Sequence, residues 1–486
     1  MDQIKKEQFN LIFIIFPFLL ITGPFLPDLF IILLDIFVLF VLSKRIKNIF
    51  YKSHYLYFLF IFYFYVNLNS IIAHNSSYSF QTSLPYLRFI FFSFILSYLL
   101  INIKNLRRII IFSFLFTYSV LLIDSCIQLF FGKNILGYPL QGSRVSSFFG
   151  EWLVMGSFVS RTMPVVLGLT FFEKIKYKNT LQISILFITG ILVVLSAERL
   201  AFMYFLITLF FFIFFKINKK NLFFIIFLTI IIFLSIFYVR PAAYERLFNH
   251  TFIQLKEADN PIFSSYRHQL HYITAINQFK DSMLFGHGLK SFRLLCDNSK
   301  YVPINKIIDD NKLTTPVDGY VFFLLEEGTK NYVVIKNTNI SAITIYDNDI
   351  IFKKQYTGHL LKKYVSNGQL VKKNQSLLSS YEYINGCNTH PHNVHLQFLA
   401  EIGLIGYFFL IVAFLFIIYR LFLIIKKRTL NKFINDKEYY IFFSLLGLFL
   451  TLFPLFPSGN FFNNWLSSIF YFNMANLISI LPLKKK

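Results

Sequence analysis

The sequence predicts an all-α polytopic membrane protein of about twelve transmembrane helices, with one large periplasmic loop holding helices and a small β insert. Three observations predict it. Of 486 residues, 56% are hydrophobic and only 15% charged, a balance that no soluble globular domain needs. Runs of about 20 apolar residues recur, each long enough to cross a hydrocarbon core of roughly 30 Å. The connections between these runs alternate between basic and Lys/Arg-poor, as expected of a chain that crosses a membrane repeatedly.

The spans fall near 9–25, 28–43, 54–72, 85–103, 108–131, 152–172, 180–196, 199–215, 221–239, 395–424, 438–456 and 461–482. The basic connections are Lys5-Lys6, Lys44-Arg45-Ile46-Lys47, Lys104 with Arg107-Arg108, Lys174-Ile175-Lys176, Lys216 with Lys219-Lys220, Lys426-Lys427-Arg428 and Lys484-Lys485-Lys486. The positive-inside rule makes this set cytoplasmic. Both termini are then cytoplasmic, which an even number of spans requires. Residues 73–84 carry neither Lys nor Arg and belong outside. The net charge of +23 sits mostly in these short runs, so it reads as topology rather than as a nucleic-acid surface. The first apolar run has no small-residue cleavage site and another follows at once, so no cleavable signal peptide is expected.

This divides the chain into helices 1–9 (1–239), a periplasmic loop (240–393) and helices 10–12 (394–486). In the loop, Leu270, Ile273, Ile276 and Phe279 repeat at spacings of three and predict an amphipathic helix over 262–281. Phe285-Gly286-His287-Gly288-Leu289 is a glycine-rich turn. Over 314–383 the period changes. Tyr332-Val333-Val334-Ile335-Lys336 and Ile343-Thr344-Ile345-Tyr346 read as strands, punctuated by Asp-Gly, Asn-Gly and Glu-Gly turns. Its ends, Pro316-Val317-Asp318-Gly319 and the run from Val365 to Gln375, resemble the halves of a barrel-sandwich hybrid domain. A biotinylation-type lysine flanked by methionine is missing, so a structural or partner-docking role is expected of the insert. Of three cysteines, Cys126 falls in a span, while Cys296 and Cys387 bracket the insert. An oxidising periplasm favours a disulfide between those two.

The densest polar cluster is Thr389-His390-Pro391-His392-Asn393-Val394-His395-Leu396-Gln397, continuing through Glu401, Gly403 and Gly406, where the loop re-enters the membrane. Polar groups there are costly unless they act on something. Asn393, Gln397 and Glu401 recur every four residues and share one helix face. His392 stands just before that face, and an imidazole suits a general base near neutral pH. A lone histidine would more often cap the helix or sit at the interface; the surrounding pattern favours chemistry. His390 and His395 carry the weaker functional reading. Arginines form a second set. Arg199 opens a span after Ser196-Ala197-Glu198, Arg267 lies on the amphipathic helix beside His268, and Arg144 precedes the sixth span. Arg161 lies inside that span and Arg88 at the outer end of the fourth. Arginine's fork matches phosphate oxygens bidentately, so outward arginines suit a diphosphate-linked lipid; the alternative is snorkelling at the interface. His-Glu-x-x-His, Cys-x-x-Cys and phosphate-binding-loop patterns are missing. No metal site and no cofactor are expected. Asp309-Asp310, Asp28 and Asp35 read as ordinary loop or interface acids.

Taken together, these motifs resemble the O-antigen ligase and polymerase superfamily. The resemblance rests on His390 to Gly406, on Tyr266-Arg267 through Gly288, on Ser196 to Arg199, and on Arg144-Val145-Ser146-Ser147-Phe148-Phe149-Gly150. It covers roughly residues 140–420. Glu198 before Arg199, His287 between the turn's glycines, and the β insert all depart from the family pattern. The resemblance implies a metal-independent, inverting glycosyltransferase with an undecaprenyl-diphosphate-linked glycan as donor. The acceptor would be a sugar hydroxyl of lipid A core, or another glycan or protein hydroxyl, at the periplasmic face of the bacterial inner membrane. His392, Arg267 and Arg199 would be catalytic. Asn393, Gln397, Arg144, His390 and Glu401 would bind substrate. Membrane lipids and a partner for the insert complete the expected contacts, with no nucleic acid. Ligase is the preferred branch over repeat-unit polymerase and protein O-oligosaccharyltransferase. A lipid-linked glycan transporter would show internal repeats and discontinuous helices, and no repeat is evident. A scaffold would not need so many spans.

Overall fold

Hydropathy decides most of the helices in the computed structural model, which describes residues 3–50, 54–216, 237–238, 240–257, 265–302, 306–307, 311–326, 330–337, 349–356, 359–381, 383–384 and 386–481. The expected span 221–239, all but 237 and 238, lies outside the described residues. So do Lys219-Lys220, Asp309-Asp310, the 343–346 stretch and the terminal lysines.

The protein is mostly helical, and its chain divides into two compact units, Met1–Cys296 with Asn388–Lys486, and Asp297–Cys387. The first unit opens with α1 (Gln3–Leu20), α2 (Phe25–Phe50), α3 (His54–Ile71), α4 (Ser76–Ser83), α5 (Leu87–Asn102) and α6 (Leu106–Phe131). It continues with α7 (Met155–Phe172), α8 (Lys178–Ser196) and α9 (Arg199–Lys216). After short helical turns over Pro241–Tyr244, Glu245–Asn249 and His250–Glu257 comes α10 (Tyr266–Asp281). The unit closes with α11 (Val394–Thr429), α12 (Asp436–Leu452) and α13 (Asn464–Ile478). Among the described residues, six helical segments are long and apolar enough to cross a membrane: 76–102, 106–131, 155–172, 178–196, 199–216 and 394–429. Phe9–Leu20 and Tyr55–Ile71 are shorter apolar helices. The chain is a membrane protein.

Burial distinguishes central from peripheral helices. The apolar window of α7 is 89% buried in protein and that of α11 only 28%, so α7 is the packed centre and much of α11 is left to lipid. Close packing of α7 on α12 is possible because Gly168 has no side chain; a Cβ there would lie 3.1 Å from Phe443 Cβ. Aromatic rings fill the rest, as in the Phe171–Tyr439 stack at 4.7 Å and the Phe215–Phe442 edge contact at 4.5 Å. Asn435 starts α12 with a reciprocal capping box to Glu438, satisfying donors that the first turn leaves unpaired.

The second unit is β. Strands β1 (Lys306–Ile307) and β9 (Tyr383–Ile384) pair antiparallel. Strands β2 (Asn311–Thr314), β8 (Ser376–Tyr381) and β6 (His359–Lys363) form a three-stranded sheet in that order. Strands β5 (Ile350–Tyr356), β4 (Lys330–Lys336), β3 (Gly319–Glu326) and β7 (Gln369–Val371) form a four-stranded one. Val321, Val333, Ile335, Val365, Val371, Leu377 and Leu378 make its core. Strand pairing begins at Lys306 and ends at Ile384, wider than the 314–383 read from the sequence.

Cys126 is free, and Cys296 and Cys387 are disulfide-bonded.

Candidate functional site

The site is built where α11 begins. Asn393 caps that helix, its side-chain oxygen accepting from the backbone N–H of His395 (3.0 Å) and Leu396 (3.1 Å). Its amide donates to the Pro454 carbonyl at 2.6 Å. Gln397 donates to Glu401 (3.1 Å) and Asn460 (2.8 Å) and accepts from the Phe461 N–H (3.0 Å). His395 joins the Leu452 carbonyl (2.7 Å) and the Tyr407 hydroxyl (3.2 Å). These side chains tie α11 to the 452–461 segment, and Gln397 and Glu401 are wholly buried.

Two turns in, α11 breaks. Gly403 has φ 64° and ψ −168°, a conformation essentially restricted to glycine. The turn that follows α10 passes through the break and takes up the freed backbone groups. His287 N–H donates to Ala400 O (3.1 Å) and Gly288 N–H to Glu401 O (2.7 Å), while Leu404 and Ile405 N–H donate to Met283 O (2.8 Å) and Leu284 O (3.3 Å). The Tyr65 hydroxyl donates to Ile402 O at 2.6 Å. Gly286 (φ 68°) crosses Gly403 so closely that a Cβ on either would fall 2.5 Å or less from backbone of the other strand.

This crossing fixes α10 against the start of α11. The face of α10 that is buried is Leu270, His271, Tyr272, Thr274, Ala275 and Gln278. Of the apolar repeat, Leu270 is buried while Ile273, Ile276 and Phe279 are only half-buried. The buried face turns from the repeat towards His271, Thr274, Ala275 and Gln278.

Four imidazoles meet here. The His392 ring centroid lies 4.1 Å from His390, 5.3 Å from His268 and 5.3 Å from His271. His392 has φ 54°, sparsely populated for a side-chain-bearing residue. It is held there because its carbonyl accepts from Ser458 N–H (2.8 Å) while His390 Nε2 meets Ser458 O (3.2 Å). The Asn388 amide donates to His392 Nε2 at 3.1 Å. Loss of water around the rings, with their mutual repulsion, pushes His392 down to about 2 and His268 and His390 each to about 4. All three are therefore neutral at working pH. In the unfolded chain they titrate near 6.5, so below that pH the unfolded state binds more protons and stability is lost as pH falls towards 4. Melting curves should show the purified protein's Tm falling from pH 7 to pH 4.5, with a shallower fall in His390→Asn. A flat profile would mean that these rings are not shielded.

Arg144, Arg199 and Arg246 gather at the start of α9. Arg144 Nη2 donates to Leu153 O (2.6 Å) and lies 3.9 Å from Glu198. Arg199 Nε donates to Arg246 O (3.2 Å), and another of its nitrogens bonds Gln254. Arg246 Nε donates to Ala197 O (3.2 Å). Burial, and the nearby Arg246 and Arg199, lower Arg144 despite Glu198. Arg199 also contributes to the depression of His268, which links the arginine group to the imidazoles. Glu198 has a local duty. Its carboxylate accepts from Gly156 N–H (2.8 Å), Ser157 N–H (3.2 Å) and the Ser157 hydroxyl (2.6 Å) at the start of α7. Negative charge is favoured at that end of a helix. Glu198→Ala should cost about 1–3 kcal/mol, read by thermal unfolding, and Glu198→Gln less.

Arg267 is exposed on the first turn of α10. Arg88 is engaged with Asp28 and lies over the Phe89 ring. Arg161 is buried within α7 beside the Tyr204 ring, 5.2 Å from its centroid. Arg246, His271 and Ser458 were not singled out from the sequence for any role. The pairing of His268 and His271 one turn apart beside Arg267 was the available signal for two of the cluster's rings. Nothing local marks Arg246 or Ser458.

Residues 184–319 match the family model described as O-Antigen ligase. The matched segment holds Arg199, Arg246, Arg267, His268 and His271; Arg144 and His392 lie outside it. No curated protein matches the chain.

Proposed function

The chain is a membrane protein of the O-antigen ligase superfamily, on the match over residues 184–319, and from that premise we propose that it transfers an undecaprenyl-diphosphate-linked glycan to a sugar hydroxyl of lipid A core. Transfer takes place at the periplasmic face of the inner membrane, in a chain of twelve spans with both termini cytoplasmic. The observation that supports this most is the meeting of the His392 ring with His268, itself within electrostatic reach of Arg199. The proposed proton acceptor thereby stands near an arginine of the kind that suits phosphate.

In the mechanism, His392 takes the proton of the acceptor hydroxyl as that oxygen attacks the anomeric carbon. The bond from that carbon to the diphosphate breaks, and the diphosphate leaves with its lipid. Attack from the opposite side inverts the anomeric centre. The neutral His392 ring offers a lone pair at Nε2, the atom to which the Asn388 amide donates. Arg199 and Arg267, with Arg144 and Arg246, stabilise charge growing on the diphosphate. Preorganised cations acting on developing charge are worth several kcal/mol, and a diphosphate is already a good leaving group, so no metal is required. Asn393, Gln397 and Glu401 position the histidine loop through the 454–461 segment. His390 flanks His392.

The broken helix is a feature of transporters, but here its freed groups are met by protein backbone and Tyr65 rather than left for a solute. That favours the enzyme. The disulfide we assign is Cys296–Cys387, and the β unit serves as a docking module. Replacing 298–386 by a short Gly/Ser linker should impair transfer in cells, and full activity without the unit would remove that role.

The test uses purified protein, lipid-linked polymer and core-only lipopolysaccharide with EDTA present. Polymer-bearing lipopolysaccharide should form and should fall at least 10²-fold in Arg199→Ala. Abolition by EDTA would refute the metal-free mechanism.

A further inference from the structure

The His268 ring packs against the His392 ring, at 5.3 Å between centroids, and lies within electrostatic reach of Arg199. In the proposed reaction the donor's diphosphate is held near both. His268 also has a partner that can serve either protonation state. Its Nδ1 lies 2.7 Å from the Ser265 hydroxyl, which in turn accepts from the His268 backbone N–H. With the ring neutral, the hydroxyl donates to Nδ1 and Nε2 carries the hydrogen. With the ring charged, Nδ1–H donates to the hydroxyl oxygen, whose own hydrogen rotates away. Nε2–H is a donor in both forms.

We propose that His268, backed by His271, is a ligand of the donor's diphosphate and takes one proton from solvent as the diphosphate binds, leaving His392 neutral. The proton comes from water or buffer and goes to Nδ1 of His268; no covalent bond to the substrate forms or breaks. This deepens the diphosphate-transfer reading above and rests on it.

The physical reason is charge. Among the groups that face His268 are Ser265, His271 and Tyr272 on its own helix, Arg199 on α9, and His392, with His390 and Asn388 behind it, on the 388–393 loop. Crowded by positive and chargeable neighbours and shielded from water, the imidazolium is disfavoured without an anion beside it. A diphosphate reverses the sign of the local field and makes a charged ring the favoured form. His268 and His390 both resist protonation less than His392, about 4 against about 2, and of those two only His268 is within electrostatic reach of Arg199. The added proton therefore goes to the ligand and spares the base. Binding and protonation are then linked: the donor binds more tightly at lower pH.

The experiment is titration calorimetry on the full-length protein in detergent, with a short-chain prenyl-diphosphate-sugar as probe. As a diester, this probe does not change its own charge between pH 6 and 8. Wild-type protein should bind with uptake of about one proton, seen as heat that differs between buffers of unlike ionisation enthalpy. Its affinity should weaken roughly tenfold per pH unit over that range. His268→Gln keeps a hydrogen-bond donor but cannot charge, and should bind with no buffer-dependent heat and a flat pH profile. Wild-type binding without proton uptake would overturn the proposal and leave the diphosphate site standing. Uptake that persists in His268→Gln would overturn the assignment to His268. Failure of wild-type protein to bind the probe at any pH would remove the diphosphate reading itself, and this proposal with it. The buffer comparison on wild-type protein can overturn the proposal even if the variant fails to fold.

Discussion

His392→Ala will slow glycan transfer by the purified protein about 10²–10⁴-fold, the range for removing a general base. The loss will fall on kcat, with donor KM nearly unchanged, because the arginines that hold the diphosphate remain. His392→Gln should be nearly as slow, since an amide can donate and accept hydrogen bonds but cannot carry a proton away. His395→Ala provides the contrast. His395 is 7% exposed and spends its ring nitrogens on Leu452 and Tyr407, so its loss should lower stability more than kcat. Wild-type kcat in His392→Gln would mean that the ring only holds the loop, and the proton must leave by another route.

The second large effect is on assembly. Gly403→Ala or Gly286→Ala should cost more than about 4 kcal/mol, a large share of a total stability of about 5–15 kcal/mol. Two terms add. Each residue has a positive φ near 65° (64° and 68°), which penalises any side chain. Each would also drive a Cβ into backbone, 2.3 Å from Leu284 O for Gly403 and 2.5 Å from the Glu401 carbonyl carbon for Gly286. Backbone atoms cannot swing aside as a flexible side chain can. Little folded protein should be recovered from the membrane, as read by size-exclusion of the detergent extract. Gly459→Ala is the control: its Cβ would meet only Leu466, at an ordinary 3.5 Å, and should be tolerated. Normal yield and melting of Gly403→Ala would mean that the helix break is not required.

That break shows where sequence reading stops. The apolar runs were legible because a bilayer imposes one length and one polarity on each span. The shared face of Gln397 and Glu401 was legible because it is local; Asn393, read as part of that face, instead caps the helix that carries it. Gly403 and Gly286 were both noticed in the sequence, yet nothing local says that they cross each other from segments 117 residues apart. The same holds for His268 and His271. Apolar periodicity marked Leu270, Ile273, Ile276 and Phe279, because hydrophobic residues carry the usual signal of burial. Only Leu270 of these is buried; the rest of the buried face is His271, Tyr272, Thr274, Ala275 and Gln278, and only the packing of α10 on α11 brings its imidazoles to His392. Arg246 was invisible for the same reason: its carbonyl and guanidinium are engaged with Arg199 and Ala197, far away in the chain. Glu198 was visible only as a departure from the family pattern, until its carboxylate was found capping α7.

In the proposed reaction the histidine loop carries out transfer of a lipid-linked glycan to lipid A core. The most direct measurement replaces the cell's own copy with His392→Ala, resolves lipopolysaccharide on a gel and probes lipid-linked polymer separately. The ladder on lipid A core should be lost while long polymer still accumulates on undecaprenyl diphosphate. Loss of long polymer with single repeats still on the core would move the assignment to the polymerase branch. An unchanged profile would mean that His392 does not carry the transfer.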